Sequence, residues 1–304
     1  MWLILAFMSA ALLGCYDSFK KQALKENAVI PVLFLNTLFS SFIFLPFILI
    51  SPSGLLDGSI FHVASGGWEM HKYIVLKAFV VLSSWILGYF GMKHLPLTIV
   101  GPINATRPVM VLIGALLVFG ERLNLWQWLG VLLAVASFLL LSRSGRKEGI
   151  DFKHDHWIYM IIGAALLGAV SGLYDKYLMA PVENGGVGLD RMMVQSWYNI
   201  YQCGMMGVML WLLWWPKHQE TTPFHWSWSI VGVSLFLSTA DFLYFYSLSI
   251  PEAMISIVSM IRRGSVIVSF LFGAWFFHEK NLKAKAFDLA LVLLGMVFLY
   301  LGSC

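Results

Sequence analysis

The sequence predicts an all-α integral membrane protein with ten transmembrane helices arranged as two inverted five-helix repeats. Three observations predict it. The 304 residues are 59% hydrophobic and only 12% charged, where a soluble domain carries roughly a quarter charged residues, so the chain cannot cover a water-facing surface. Apolar runs close to the roughly 20 residues that cross a bilayer recur along its length. The two halves of the chain also repeat one another. The 13 Trp and 11 Tyr, many of them flanking these runs, fit the aromatic belts of membrane interfaces.

The spans follow in order. The first, 2–20, has no basic stretch before it and ends in Lys20 and Lys21 without a cleavage site, so it reads as a helix and not as a removable signal. The second, 31–50, carries Asn36 as its main polar group. The third, 73–93, places Trp85 and Tyr89 on one face, for packing or for stacking on a ligand. The fourth, 97–119, contains Pro102 and Pro108, and the fifth is 125–142. A linker, 143–156, with Arg143, Arg146, Lys147, Glu148, Asp151 and Lys153, divides the chain into halves at 1–142 and 157–304. The second half supplies spans at 157–179, 191–215, 226–248, 252–276 and 285–302. Short connections carry breakers, among them Pro96, Pro251 and the turn Glu183-Asn184-Gly185-Gly186.

Basic residues outside the spans are unevenly placed. One side holds Lys20, Lys21, Lys25, Lys93, Arg143, Arg146, Lys147, Lys153, Lys217, Lys280, Lys283 and Lys285; the other holds mainly Lys72, Arg122 and Arg191. The excess of positive charge on cytoplasmic loops makes the first side cytoplasmic, so both termini are expected outside. The net charge of +4 reflects this distribution and does not point to nucleic acid.

The repeat is visible residue by residue. Ala10-Ala11-Leu12-Leu13-Gly14 in the first span matches Ala164-Ala165-Leu166-Leu167-Gly168 in the sixth. Both continue a stripe of small residues, Ala10, Gly14, Ser18 and Ala164, Gly168, Gly172, where a neighbouring helix can approach closely. Tyr89-Phe90 before Leu95-Pro96 matches Tyr244-Phe245 before Ile250-Pro251. The fourth and ninth spans end in Phe119-Gly120-Glu121-Arg122-Leu123 and Phe277-His278-Glu279-Lys280-Asn281-Leu282. Five helices per half is odd, so the second half enters the bilayer inverted, the arrangement that alternating-access transporters use.

The five-plus-five helices, the Gly120-Glu121-Arg122-Leu123 turn, its partner His278-Glu279-Lys280 and the run Trp126-Gln127-Trp128-Leu129-Gly130 resemble the drug/metabolite transporter superfamily, in its ten-helix EamA-type branch. The resemblance extends over essentially the whole chain. It implies a central cavity lined by helices one to four and six to nine, with helices five and ten more peripheral. It is specific for fold and says little about cargo. Four-helix multidrug members of the superfamily keep a membrane-embedded Glu in the first helix; here the first helix has only Asp17, beside Lys20 and Lys21, a departure that speaks against antiport of cationic drugs.

Ionisable groups inside a bilayer need a partner or a task. Arg107 lies in the fourth span between Pro102 and Pro108, with Asn104 on its face. The ninth span carries Arg262 and Arg263 before Gly264, and the eighth carries Asp241 with Tyr244 on its face. Asp241 is expected to pair with Arg262 or Arg263. Adjacent residues point about 100° apart on a helix, so one of these arginines is left over together with Arg107. Such an excess favours a carboxylate or phosphate held bidentately. In the seventh span, Gln195, Tyr198, Asn199 and Gln202 form a polar stripe, for the cavity or for interhelical hydrogen bonds.

The candidate substrate-binding residues are therefore Asn36, Trp85, Tyr89, Asn104, Arg107, Tyr198, Asn199, Gln202, Asp241, Tyr244, Arg262 and Arg263. Cys15, Cys203 and Cys304 form no CxxC, and the eight histidines lie in loops or near span ends, so neither metal nor cofactor is expected. No catalytic motif is recognisable, and an enzyme is not expected. The expected function is secondary transport of a small organic solute carrying a carboxylate or phosphate, in the inner membrane of a bacterium, by a monomer or homodimer. The alternatives are a flippase for a lipid-linked phosphate compound and a membrane enzyme or non-transporting receptor.

Overall fold

A computed structural model describes residues 2–107, 109–110, 124–146, 153–179, 181–248, 250, 258, 261–276 and 282–302. The turn 120–123, its partner 278–280, Pro108, Pro251, Cys304 and the linker residues Lys147, Glu148 and Asp151 lie outside the described residues.

Among the described residues the regular structure is helical. We number the α-helices α1 (Trp2–Ala23), α2 (Val29–Ile50), α3 (Trp68–His94), α4 (Leu97–Ala105), α5 (Leu125–Arg146), α6 (His156–Met179), α7 (Arg191–Met209), α8 (Trp228–Leu248), α9 (Ser265–Trp275) and α10 (Leu282–Leu301). Five described helices are long and apolar enough to cross a membrane: Trp2–Ala23, Val29–Ser53, Trp68–His94, His156–Met179 and Trp228–Ser247. The protein is thus a multi-pass integral membrane protein.

Helix ends follow local chemistry. The α1–α2 turn places Glu26 at φ 51, and Asn27 then locks it. Its Oδ1 accepts from the amides of Ala28 and His225, both at 2.9 Å, and its Nδ2 donates to His225 O at 2.7 Å. One side chain thereby ties the turn to the entry of α8. Asp190 caps α7, its Oδ1 accepting from the Met193 amide at 2.8 Å. Beyond Met209 the helix continues as a π-helical turn, Leu210–Trp214.

Two helices break where the sequence places arginines. The fourth span is not continuous: α4 stops at Ala105, with Thr106 as a turn. There the Thr106 hydroxyl donates to Ile103 O at 2.7 Å. A proline at 108 leaves the Asn104 carbonyl without its helical donor, which accounts for the weak point. In the ninth span, residues 261–263 are helical, Gly264 is a turn, and α9 begins at Ser265.

Helices of the two halves pack as antiparallel pairs. α1 packs on α8, α2 on α7, α3 on α6, α4 on α9 and α5 on α10. Ser9 Oγ donates to Ala240 O at 2.6 Å in the first pair, and Ser84 Oγ donates to Ala164 O at 2.7 Å in the third. In the last pair, Ser137 Oγ donates to Asp288 O at 2.6 Å. Exchanging α1–α5 with α6–α10 leaves this set of pairs unchanged: α1·α8 becomes α6·α3, and the other three map onto themselves.

The small-residue stripes sit at close crossings. A Cβ on Gly14 would lie 2.4 Å from the Val268 Cβ, and one on Gly168 would lie 2.8 Å from the Arg107 Cζ. Gly14 is therefore required by a close approach to side chain and backbone, whereas at Gly168 an added methyl would displace the end of the Arg107 side chain.

Candidate functional site

Between the halves lies a cavity of about 160 Å³. Its walls come from α1, α3, α4, α6, α7, α8, the segment before α9 and the start of α9. The lining holds five cationic side chains, Lys20, Lys77, Arg107, Arg262 and Arg263, and three carboxylates, Asp17, Asp175 and Asp241.

The pairs can be taken in turn. Arg262 Nη2 donates to Asp241 Oδ1, and Tyr198 Oη donates to Asp241 Oδ2 at 2.9 Å. The Arg262 guanidinium lies 4.1 Å from the centre of the Tyr244 ring, a cation–π contact. Asp241 therefore has both oxygens engaged, and the expected pairing of α8 with the ninth span falls on Arg262.

Lys77 Nζ donates to Asp175 Oδ1, joining α3 to α6, with side chains only 3% and 11% exposed. The same ammonium lies 5.1 Å from the centre of the Tyr198 ring. Lys20 Nζ is 3.3 Å from Asp17 Oδ1 on its own helix and lies over the Tyr16 and Tyr89 rings at 4.5 and 5.0 Å.

Two guanidinium groups remain. Arg107 Nη2 donates to Asn104 Oδ1 at 3.0 Å, a neutral partner, and its buried Nε has no hydrogen-bond partner among the described residues. Arg263 makes no hydrogen bond or ion pair among the described residues, and the charges of Arg107 and Arg262 both bear on it. Each stands next to a helix break, and the first residues of α9, Ser265 and Val266, line the same cavity. A helix N-terminus carries partial positive charge. Among the described residues, the cavity thus holds more positive than negative charge.

Eight of the sequence candidates line this cavity: Trp85, Asn104, Arg107, Tyr198, Asp241, Tyr244, Arg262 and Arg263. Tyr89 does not; it is fully buried beneath Lys20. Asn36, Asn199 and Gln202 also lie elsewhere, buried in their helices. A polar seam joins α2, α7 and α8 there. Ser41 Oγ donates to Asn199 O at 2.9 Å, Asn199 Nδ2 to Gln195 O at 2.8 Å, Gln195 Nε2 to Ser238 O at 3.3 Å and Ser238 Oγ to Ser40 Oγ at 3.1 Å. The polar stripe of the seventh span thus divides: Tyr198 turns to the cavity, Gln195 reaches α8, Asn199 bonds a carbonyl of its own helix, and the buried Gln202 side chain has no hydrogen-bond partner among the described residues.

Lys77 and Asp175 escape the sequence reading, and Lys20 is corrected. Its ammonium is not a loop charge, because α1 continues past it and the side chain turns inward, leaving the residue 7% exposed. A signal for the other two exists. Lys77 and Asp175 each stand about one turn inside their predicted spans, at the same side of the membrane, with opposite charges.

On the basic side lies a second, wider hollow of about 1410 Å³. One stretch of α1 divides the two spaces. Tyr16, Asp17 and Lys20 face the first, while Ser18, Lys21 and Gln22 face the second. Lys21 Nζ donates to Met92 O at 2.7 Å and Leu95 O at 2.5 Å, fastening α1 to the α3–α4 junction.

Residues 1–143 match the EamA-like transporter family. An "uncharacterized transporter in cobO 3'region" of Sinorhizobium sp is 31% identical over 87 residues, 26% of this chain. The match spans 62% of that relative's length. A protein solved by crystallography has a similar fold, with TM-score 0.65 and 13% identity over 98% of this chain and 96% of its own. At that identity the likeness concerns the fold alone.

Proposed function

We propose that the protein is a secondary transporter of a small organic anion, working by alternating access between two inverted five-helix repeats at 1–142 and 157–304. The observation that carries the reading is the unmatched pair Arg107 and Arg263. They stand on equivalent elements of the two halves, each beside a helix break, in one internal cavity. Transporters built from inverted repeats hold cargo at discontinuous helices near the bilayer midplane. The helix pairing, unchanged when the halves are exchanged, supports the two-fold relation. The broken fourth and ninth spans support the site.

Arg107 and Arg263 bind the negative group of the cargo, and Asp241 holds Arg262 in place beside it. Trp85, Tyr198 and Tyr244 provide the apolar wall. A cavity of 160 Å³ has room for roughly ten water-sized groups, which fits a soluble metabolite better than a lipid-linked one. The reading places the protein in the inner membrane of a bacterium, without cofactor or catalytic step.

The test is uptake of labelled metabolites, anionic, zwitterionic and cationic, into liposomes containing the purified protein. An anion should be taken up, and Arg107→Ala should abolish that uptake while the protein still elutes as a folded species in detergent. Arg107→Lys should also be impaired, because an ammonium cannot reproduce the bidentate fork. Undiminished uptake by Arg107→Ala would remove Arg107 from the site. Uptake confined to cations would refute the reading.

A further inference from the structure

We propose that the cargo is a compact organic dianion, a phosphate monoester or a dicarboxylate, and not a monocarboxylate or an amino-acid zwitterion. This rests on the transport reading above and adds the charge number. Three of the five cations in the cavity are matched one to one: Lys20 by Asp17, Lys77 by Asp175 and Arg262 by Asp241. Among the described residues the formal excess is two, and it resides on Arg107 and Arg263.

A single negative charge in the cargo leaves one guanidinium without a counter-charge in a desolvated space, which is unfavourable. A zwitterion brings its own ammonium and leaves both charges uncancelled. Its ammonium would also need a free carboxylate, and Asp241 has both oxygens committed, to Arg262 and Tyr198. Two negative charges neutralise the cavity. The two guanidinium groups also repel each other in the empty site, a repulsion that a dianion relieves on binding.

The shape agrees. Lys77 lies fifteen residues along α3 from Met92, hence roughly 22 Å away, and both line the cavity. Two of the ion pairs occupy its ends: Asp17–Lys20 near the last turns of α1, and Lys77–Asp175 towards the opposite face. The unmatched charges come from the segments beside α4 and α9, which pack on one another. A short molecule with both charges close together therefore matches the excess better than a long one that would meet the paired ends.

The experiment is thermal unfolding and titration calorimetry of the full-length protein in detergent, at low ionic strength and pH 7. The probes are glycerol phosphate, succinate and sulfate, against acetate, glycine and chloride at equal ionic strength. The dianions should stabilise the protein saturably, and the other three should not. Arg107→Gln and Arg263→Gln should each weaken dianion binding at least 100-fold. Arg107→Lys and Arg263→Lys, which keep the charge, should retain part of it and report on folding.

A second arm reads protonation. A phosphate monoester loses its second charge below about pH 6, so its affinity at pH 5 should fall about tenfold, while that of sulfate should not. Preference for glycerol phosphate over succinate, or the reverse, assigns the head group. Acetate or glycine binding as tightly as the dianions would overturn the dianion proposal and leave an anion or amino-acid transporter. Dianion binding that survives both Gln substitutions would overturn the site. Binding of none of the anions, together with liposome uptake of a cationic or neutral metabolite, would overturn the proposed function as well.

Discussion

The carboxylate of Asp241 touches Arg262 with one oxygen and Tyr198 with the other, and that division decides which arginine is free. This part of the site is legible in the sequence. A lone Asp in one apolar span and an Arg-Arg pair in another have few alternatives. Lys77 and Asp175 also carry opposite charges, but nothing in the third span's periodicity distinguishes a paired lysine from a snorkelling one. Asn36, Asn199 and Gln202 fail for another reason. A helical stripe reveals which side of its own helix is polar, not which neighbour covers it. Lys77 and Asp175 also yield a prediction. Removing one partner of a buried pair costs about 3–5 kcal/mol, whereas replacing both with apolar groups can be nearly neutral. Lys77→Met should lower the thermal midpoint in detergent markedly, and Lys77→Met with Asp175→Leu should recover most of it. A double-variant loss equal to the sum of the Lys77→Met and Asp175→Leu losses would show that the pair is not coupled.

At the scale of elements, most helix limits are readable to within a few residues, because apolar length and flanking charge fix them together. The exceptions are the fourth and ninth spans, which read as continuous and are interrupted at Thr106 and Gly264. Pro102, Pro108 and Gly264 give warning of weakness, but whether a helix yields there depends on what it packs against. The α1–α3 junction is a further device that sequence cannot reveal, since Lys21 binds main-chain carbonyls there. Hydrogen bonds to a charged group contribute about 1.5–3 kcal/mol each. Lys21→Met should therefore speed hydrogen exchange of residues 92–97 at least tenfold, leaving the α5–α10 pair unchanged. Exchange that stays at the wild-type rate would show that Lys21 does not hold this junction. The capping of α7 is a smaller matter of the same kind: Asp190→Ala should cost about 1 kcal/mol, measurable by unfolding.

At the scale of the molecule, the pairing of first-half with second-half helices has consequences for orientation. Lys21, Lys25 and Lys93 line the wider hollow with His94 and His225, so the basic loops of the two halves collect on one side. By the distribution of lysine and arginine that side is expected to be cytoplasmic. A C-terminal alkaline phosphatase fusion should then be active and a green-fluorescent fusion dark. The opposite result would reverse the orientation and leave the fold as it is.

The crossing of α6 with Arg107 depends on a side chain that is missing. Gly168 leaves space that the guanidinium occupies, and a methyl group there would sit 2.8 Å from its Cζ and Nη1. Charge in this cavity is thus aimed by a hollow in the opposing helix, in the way a bore aligns a shaft. Gly168→Ala would keep every charged group and yet turn one of them, so that selectivity changes by direction instead of by composition. A series of alanine, serine and wild-type glycine at this one position would then serve as a dial on cargo size, graded where deletion of the arginine is all or none.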